Sequence, residues 1–407
     1  MHPIIAALKH HKTAVILVAL EIAITCAIVS NALYIIGDRL AGMRVITGVA
    51  DNELVWAQSS GLRDDASAAS MASRQAADLA ALRGMPGVKA AVMMNSVPLS
   101  DSYWTDGVYL KPGDKPDMDN VVNYVGTPGM VAALGLVVTE GRDFLPQEYV
   151  DYSPFDQEKK VPPSSIIVTR ALADRLWPGK DPLGQAVYLG DSGKYVTHVV
   201  GVVAHLLNPD LTKPGENEFN LLMPVTSVSG GMYVLRTTPG ARDATLRNLP
   251  KVLDGVDDQR IITESHSFAD TVKDYFHDDR ALIWLLLVVI GCLLALTALG
   301  VVGLSSFWVQ QRTRQIGIRR AIGATRRDIV VYFQVENLLI VGIGIVAGSL
   351  AAVALNLFLM THYELPRLPL YYLPLGALLL WLLGQLAALG PALRAASVPP
   401  VVATRSG

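Results

Sequence analysis

Apolar residues gather at the two ends of this chain and thin out between them. Four runs, Thr13 to Ile36, Ala281 to Val309, Ile329 to Met360 and Tyr371 to Ala388, approach or exceed the roughly 20 residues a helix needs to cross a hydrocarbon core of about 30 Å. The pattern predicts transmembrane helices over 13–36, 281–309, 329–360 and 371–388. The intervening 37–280, 244 residues long, mixes shorter apolar segments with Pro, Gly and Asp and predicts a domain large enough to bury its own core.

Inside that domain the period changes from strand to helix and back. Leu54 to Ala57 reads as a strand, Ala66 to Arg83 as a helix stopped by Gly84 and Pro86, and Val88 to Met94 as a strand. The same order returns with Met232 to Arg236, Ala241 to Leu253 and Arg260 to Thr263. Two β-α-β halves, at about 50–104 and 226–264, predict a split, ferredoxin-like α/β lobe. Between them, about 105–225 holds short β-branched runs, Val121 to Val125, Ser165 to Val168 and Val196 to Val203, with a helix at Arg170 to Leu176. It predicts an inserted, mainly β lobe. Asp270 to Arg280 has no Gly or Pro, so residues 265–280 predict a stalk continuous with the second membrane helix.

Charge then orients the chain. Residues 310–328 carry six arginines and one late acid between two apolar runs, and Lys and Arg accumulate in short cytoplasmic loops. The connector is therefore cytoplasmic, as are residues 1–12 with Lys9 and Lys12 and the tail 389–407 with Arg394 and Arg405, while 37–280 and the short loop 361–370 lie outside. The external segment holds 32 acids and 23 bases, a net charge of minus 9, and the remainder 4 and 11, plus 7. An acidic domain argues against nucleic acid as a partner. Cys26 and Cys292 both fall in apolar runs, which leaves the external domain without a thiol or disulfide. The first run has two readings, a retained anchor or a cleaved signal peptide ending near Ser30-Asn31-Ala32; its 24 residues exceed a typical signal core and favour the anchor.

Catalytic signatures are sparse. Gly190-Asp191-Ser192-Gly193-Lys194-Tyr195 lacks phosphate-loop spacing and lies outside, so it reads as a turn and no ATPase is expected on this chain. The eight histidines show no paired ligand spacing, no metal is expected, and no nucleophile elbow occurs; the chain does not read as an enzyme and is expected to bind no cofactor itself. Glu21 and Glu336, with Asn337, sit inside membrane runs, where a carboxylate is costly. Either they form a polar contact between helices one and three, or those helices begin later and the acids reach the interface. Gly344 and Gly348, like Gly300 and Gly303, are spaced for close helix packing. In the connector, Ile316, Ile318 and Ile322 with Gly317 and Gly323 form an apolar edge. It suits a docking helix better than an ordinary positive loop.

The run from Arg314 to Arg327, R-Q-I-G-I-R-R-A-I-G-A-T-R-R, resembles the R-E-I-G-x-x-R-A-x-G-A motif of the FtsX-like, MacB-type permeases of ABC transporters, the type VII or mechanotransmission class. A membrane helix with an early Glu, here Glu336, follows. Pro391 to Pro400 resembles that family's closing element, and Gly141-Arg142-Asp143-Phe144, Leu176-Trp177-Pro178-Gly179 with Pro182-Leu183-Gly184, and Val199 to Val203 are similar to its periplasmic core domain. Gln315 departs from the family Glu.

The resemblance implies a multi-pass inner-membrane permease subunit that relays ATP-driven closure of a cytoplasmic ATPase to the periplasm, for export of a peptide, lipid-linked compound or drug. Arg312, Arg314, Gln315, Ile316, Gly317, Arg319, Arg320 and Gly323 would contact or position the ATPase, which carries the ATP and Mg. A second permease chain and, in a Gram-negative cell, a periplasmic adaptor and outer-membrane channel are the implied partners. An FtsX-like regulator of a cell-wall hydrolase and a lipoprotein-release permease are the alternatives.

Overall fold

The computed structural model describes residues 12–61, 68–100, 103–153, 161–211, 215–363 and 368–398. Lys9, Ala66, Pro399, Pro400, Arg405 and residues 364–367 of the expected short loop lie outside the described residues. Two compact units are formed, one of Val45–His277 and one of the flanking segments.

Helix α1 (Lys12–Gly42) opens the helical unit. The domain follows as β1 (Leu54–Gly61), α2 (Ala68–Arg83), β2 (Val88–Met94), β3 (Trp104–Val108), β4 (Met118–Gly126), α3 (Met130–Leu134), β5 (Val138–Gly141), β6 (Ser165–Thr169) and α4 (Arg170–Leu176). It continues with β7 (Ala186–Leu189), β8 (Tyr195–Val203), β9 (Asn220–Pro224), β10 (Met232–Thr237), α5 (Arg242–Val256), β11 (Arg260–Ser267) and α6 (Phe268–Tyr275). Helices α7 (His277–Gln311), α8 (Thr313–Ala321), α9 (Arg326–Tyr363) and α10 (Tyr372–Ser397) complete the chain.

In the domain, β1, β2, β10 and β11 lie in the order β11-β1-β10-β2, with β10 antiparallel to both β1 and β2. This is the interleaved ladder of a split β-α-β fold. The inserted segment adds β3 to β9, and the sheet passes into it through the pair Met94 and Gly126, so all strands share one mixed sheet. Alternation along each strand feeds two cores. Val55, Ala57, Tyr233 and Leu235 pack with Leu79 and Leu82 of α2 and Leu249 and Leu253 of α5. Leu54, Trp56 and Val234 point the other way, toward Met130 and Leu134 of α3 and Phe268 of α6.

One buried ion pair ties α2 to the sheet. Asp78 receives two parallel hydrogen bonds of 2.8 Å from Arg260 and one of 2.5 Å from Tyr233. Burial opposes the charge on Arg260, yet its hydrogen bonds to Asp78 hold the guanidinium proton more firmly than usual, and burial raises the Tyr233 phenol well above its ordinary range.

The expected continuous stalk is interrupted. Phe276 leaves helical geometry (φ −92°, ψ 16°) between α6 and α7. Its side chain is buried, and the neighbouring Tyr275 hydroxyl accepts a 2.9 Å hydrogen bond from the Leu211 amide. Tertiary anchoring therefore ends α6 where local sequence alone would have continued it.

Among the described residues, α1, α7, α9 and α10 are long and apolar enough to cross a membrane. Helices α1 and α9 approach closely at Gly344 and Gly348, where an added Cβ would lie 2.7 Å from Ile22 Cγ2 and 2.5 Å from Cys26 Cβ. Asn31 Nδ2 donates from α1 to Ala352 O of α9 at 3.2 Å, satisfying a polar group that water does not reach. Gly303 faces open space, and α7 leaves Trp284, Leu285, Leu296 and Leu299 exposed, a surface suited to lipid.

Two outcomes follow from these packings. Gly348→Leu should lower the melting temperature of the chain in lipid discs, through an overpacking cost of about 1–3 kcal/mol. Asp78→Ala, which strands the Arg260 guanidinium, should cost about 3–5 kcal/mol and appear in hydrogen exchange as loss of protection in α2, β10 and β11.

Candidate functional site

The arginine-rich connector folds as a short helix set between two membrane helices. Helix α7 ends at Gln311, Arg312 takes a non-helical conformation (φ −105°, ψ 13°), and α8 begins at Thr313. At the far end Gly323 adopts φ +105°. Its amide donates to Arg320 O at 3.2 Å and that of Ala324 to Arg319 O at 3.1 Å, the two bonds that close a helix with a left-handed residue. The Thr325 hydroxyl then accepts from the Asp328 amide at 3.2 Å while the Asp328 carboxylate accepts from the Thr325 amide at 2.9 Å. This reciprocal cap starts α9. The late acid of the connector is thus consumed in turning the chain.

Helix α8 has two unlike faces. Ile316 and Gly317 are buried, with Ile316 packed among Ile329, Phe333, Ala392, Ala395 and Ala396 of α9 and α10. The Arg319 guanidinium lies 4.8 Å from the Tyr332 ring centroid, and Arg320 Nη1 donates to Val398 O at 2.6 Å. On the opposite side Arg314, Gln315, Ile318 and Ile322 are exposed, the two isoleucines by 47% and 80%. The apolar edge expected from the sequence is therefore divided. Ile316 anchors the helix, and Ile318 and Ile322 remain outward, because a helix turning 100° per residue cannot present positions 316 and 318 on one side.

Arg312 turns inward. Its Nη1 donates to both carboxylate oxygens of Glu336 at 3.0 and 2.8 Å, and the pair is nearly sealed from solvent, with side chains 12% and 1% exposed. Its guanidinium also lies 5.5 Å from the Trp308 ring centroid, an attraction between a cation and a π face. The pair ties the end of α7 to α9 at the root of α8.

The intramembrane acids therefore do not meet across helices one and three. Glu336 is held by Arg312, and Asn337 Nδ2 donates to Gly384 O of α10 at 2.9 Å. Glu21 lies against α7, with Oε2 2.6 Å from the position of a Cβ on Gly300 and Oε1 buried without a hydrogen-bond partner. One turn along, Thr25 and Thr297 hydroxyls hydrogen-bond at 3.0 Å. The small residue at 300 makes room for a carboxylate, not for a second helix backbone.

Two family models cover most of the chain. The MacB-like periplasmic core domain matches residues 14–249, more than half of the sequence, and the FtsX-like permease C-terminal model matches residues 287–400, which include α8 and Glu336. The chain belongs to the FtsX-like, MacB-type permease family.

Its relatives include the uncharacterized ABC transporter permease YknZ of Bacillus subtilis, 23% identical over 344 residues, which span 81% of this chain and 78% of that one. A macrolide export ATP-binding/permease protein MacB of Bradyrhizobium diazoefficiens is 31% identical over 244 residues, 54% of this chain and 34% of that one. The probable syringafactin export protein SyfD of Pseudomonas syringae is 27% identical over 206 residues, 47% and 29% of the two chains. The permease thus spans about a third of these ATP-binding relatives. The solved extracellular domain of YknZ (16% identity, TM-score 0.33, covering 51% of this chain and all of that one) and periplasmic region of MacB from Actinobacillus actinomycetemcomitans (15%, 0.33, 57% and 96%) are similar, at scores too slight to bear on the assignment.

Within the permease, Arg312 lies four residues after Trp308, a spacing that places both on one helix face. Its partner Glu336, 24 residues on, carries no such local signal. Replacing Arg312 by Leu should destabilise the permease by about 3–5 kcal/mol, since the buried Glu336 carboxylate loses the guanidinium that compensates its charge. The double change Arg312→Leu with Glu336→Leu should recover most of that loss, as read by thermal melting in lipid discs.

Proposed function

We propose that this permease works with a separate cytoplasmic ATPase, which docks on the exposed stripe of α8 formed by Arg314, Gln315, Ile318 and Ile322. The observation that carries the reading is the two-faced character of α8. One side is locked into the membrane bundle, and the other shows apolar residues beside arginine to the surroundings, as a contact surface does. The six arginines support a cytoplasmic position for this segment, a reading that puts both termini on that side and the β-rich domain outside, in the periplasm of an inner-membrane protein.

Movement of a docked ATPase would press on α8. Because Arg312 and Ile316 join α8 to α9 at its root, and α7 ends one residue before it, displacement passes into both membrane helices together. Helix α7 leads by chain continuity, through Phe276 and α6, to the external domain. The work done there is export from the periplasm, in keeping with relatives named for macrolide and syringafactin export. A second permease chain completes the unit, and an adaptor and outer-membrane channel extend it in a cell with two membranes. Gln315 is exposed and neutral where family members carry Glu, so an ATPase contact at this position lacks the charge that the family Glu supplies.

The permease in lipid discs, incubated with solubilised native membranes, should retain a protein identified by its nucleotide-binding motif and ATP hydrolysis. Arg314→Glu with Ile318→Glu should reduce that capture at least tenfold. Arg312→Leu with Glu336→Leu should keep the capture and lose stimulation of the ATPase. If folded wild-type chain retains no ATPase, the coupling reading fails and an anchored periplasmic binding or signalling protein remains.

A further inference from the structure

Pairing register gathers an unusual set of side chains on one face of the domain sheet. Trp56 and Gln58 of β1 stand opposite His266 and Glu264 of β11 and opposite Val234 and Met232 of β10. The two-residue period puts all six on the same side. Helix α6 crosses this face, and Trp56 Nε1 donates to Thr271 Oγ1 at 2.8 Å. The indole centroid lies 5.3 Å from that of the His266 ring, the planes inclined by 41°.

Helix α6 does not cover the face completely. Between it, β11 and the Leu99–Ser100 turn is a cleft of about 440 Å³, within the size range of small-molecule sites. Its floor is buried and mostly apolar, made by Trp56, Leu99 and Met232. Leu99 sits there at φ +60°, a conformation uncommon for a branched side chain. Its rim carries the exposed carboxylates of Glu264 and Asp274 beside Tyr275, and no Lys or Arg lines it among the described residues.

We propose that this cleft binds an amphiphilic cation, an ammonium or guanidinium group carried on an apolar body. The body would occupy the Trp56–Leu99–Met232 floor. The charge would sit between Glu264 and Asp274, where the Tyr275 and Trp56 rings add attraction for a cation. Occupancy engages α6 at Thr271, Asp274 and Tyr275, immediately before the break at Phe276 that precedes α7. That the bound cation is the cargo of the permease rests on the function proposed above; the binding itself does not.

The test uses the full chain in phosphatidylcholine discs without ATPase, with rhodamine 6G as the cationic probe and sulforhodamine B as its sulfonated counterpart, both followed by fluorescence anisotropy. Expected is saturable rhodamine 6G binding above empty discs and none for sulforhodamine B. Glu264→Gln with Asp274→Asn should weaken it roughly tenfold, equivalent to about 1.4 kcal/mol. Gln58→Arg, which sets a guanidinium on the half-buried rim without removing any existing charge, should weaken it as well. No saturable binding, equal binding of the two dyes, or unchanged affinity in a folded Gln58→Arg variant would overturn the proposal. Each result is read without nucleotide, so it stands apart from the outcome of the ATPase capture.

Discussion

A guanidinium and a carboxylate sealed inside a membrane bundle tolerate little separation, and the Arg312–Glu336 contact is the constraint on which the helical unit turns. Little water reaches either partner, so parting them would deprive each buried charge of the compensation the other supplies. Arg312 stands at the only residue between α7 and α8, and Glu336 lies within α9. The contact therefore fixes the base of the connector helix to two membrane helices at once. With Ile316 set into the α9 and α10 surface, α8 is held to the bundle both at its root and along its inner face.

Several further polar groups in the bundle are arranged by a related rule, although Glu21 Oε1 is buried without a hydrogen-bond partner. Asn31, Asn337 and the Thr25–Thr297 pair each find a partner on another helix, as groups away from water must. Small residues decide where such approaches are possible. Gly344 and Gly348 let α1 lie close on α9, and Gly300 clears space for Glu21. Helix α7, whose sides stay largely apolar and open, is joined by the chain to α6, as α1 is joined to β1.

In the external domain the sheet supplies stiffness and the helices supply asymmetry. One face is sealed by α2 and α5, with Asp78, Arg260 and Tyr233 locking helix to strand. The other is closed by α3 and only in part by α6, which leaves the acidic, aromatic-floored cleft beside β11. Both faces draw on the same strands, so Trp56 and Val55, adjacent in sequence, serve opposite cores.

The sequence by itself determined four helices long and apolar enough to cross a membrane and the two β-α-β halves of the split sheet, with Val88–Met94 and Arg170–Leu176 bounded as observed. These depend on local period, local charge and the Gly and Pro that interrupt them, all of which are written along the chain. Tertiary structure alone decided that Arg312 faces Glu336, that Glu21 meets Gly300 instead of helix three, that the Ile316 side of α8 is the one packed on α9 and α10, and that the stalk breaks at Phe276. Each of these is a choice among partners distant in sequence, set by which surfaces can close without leaving a charge or a void, and no local pattern encodes it.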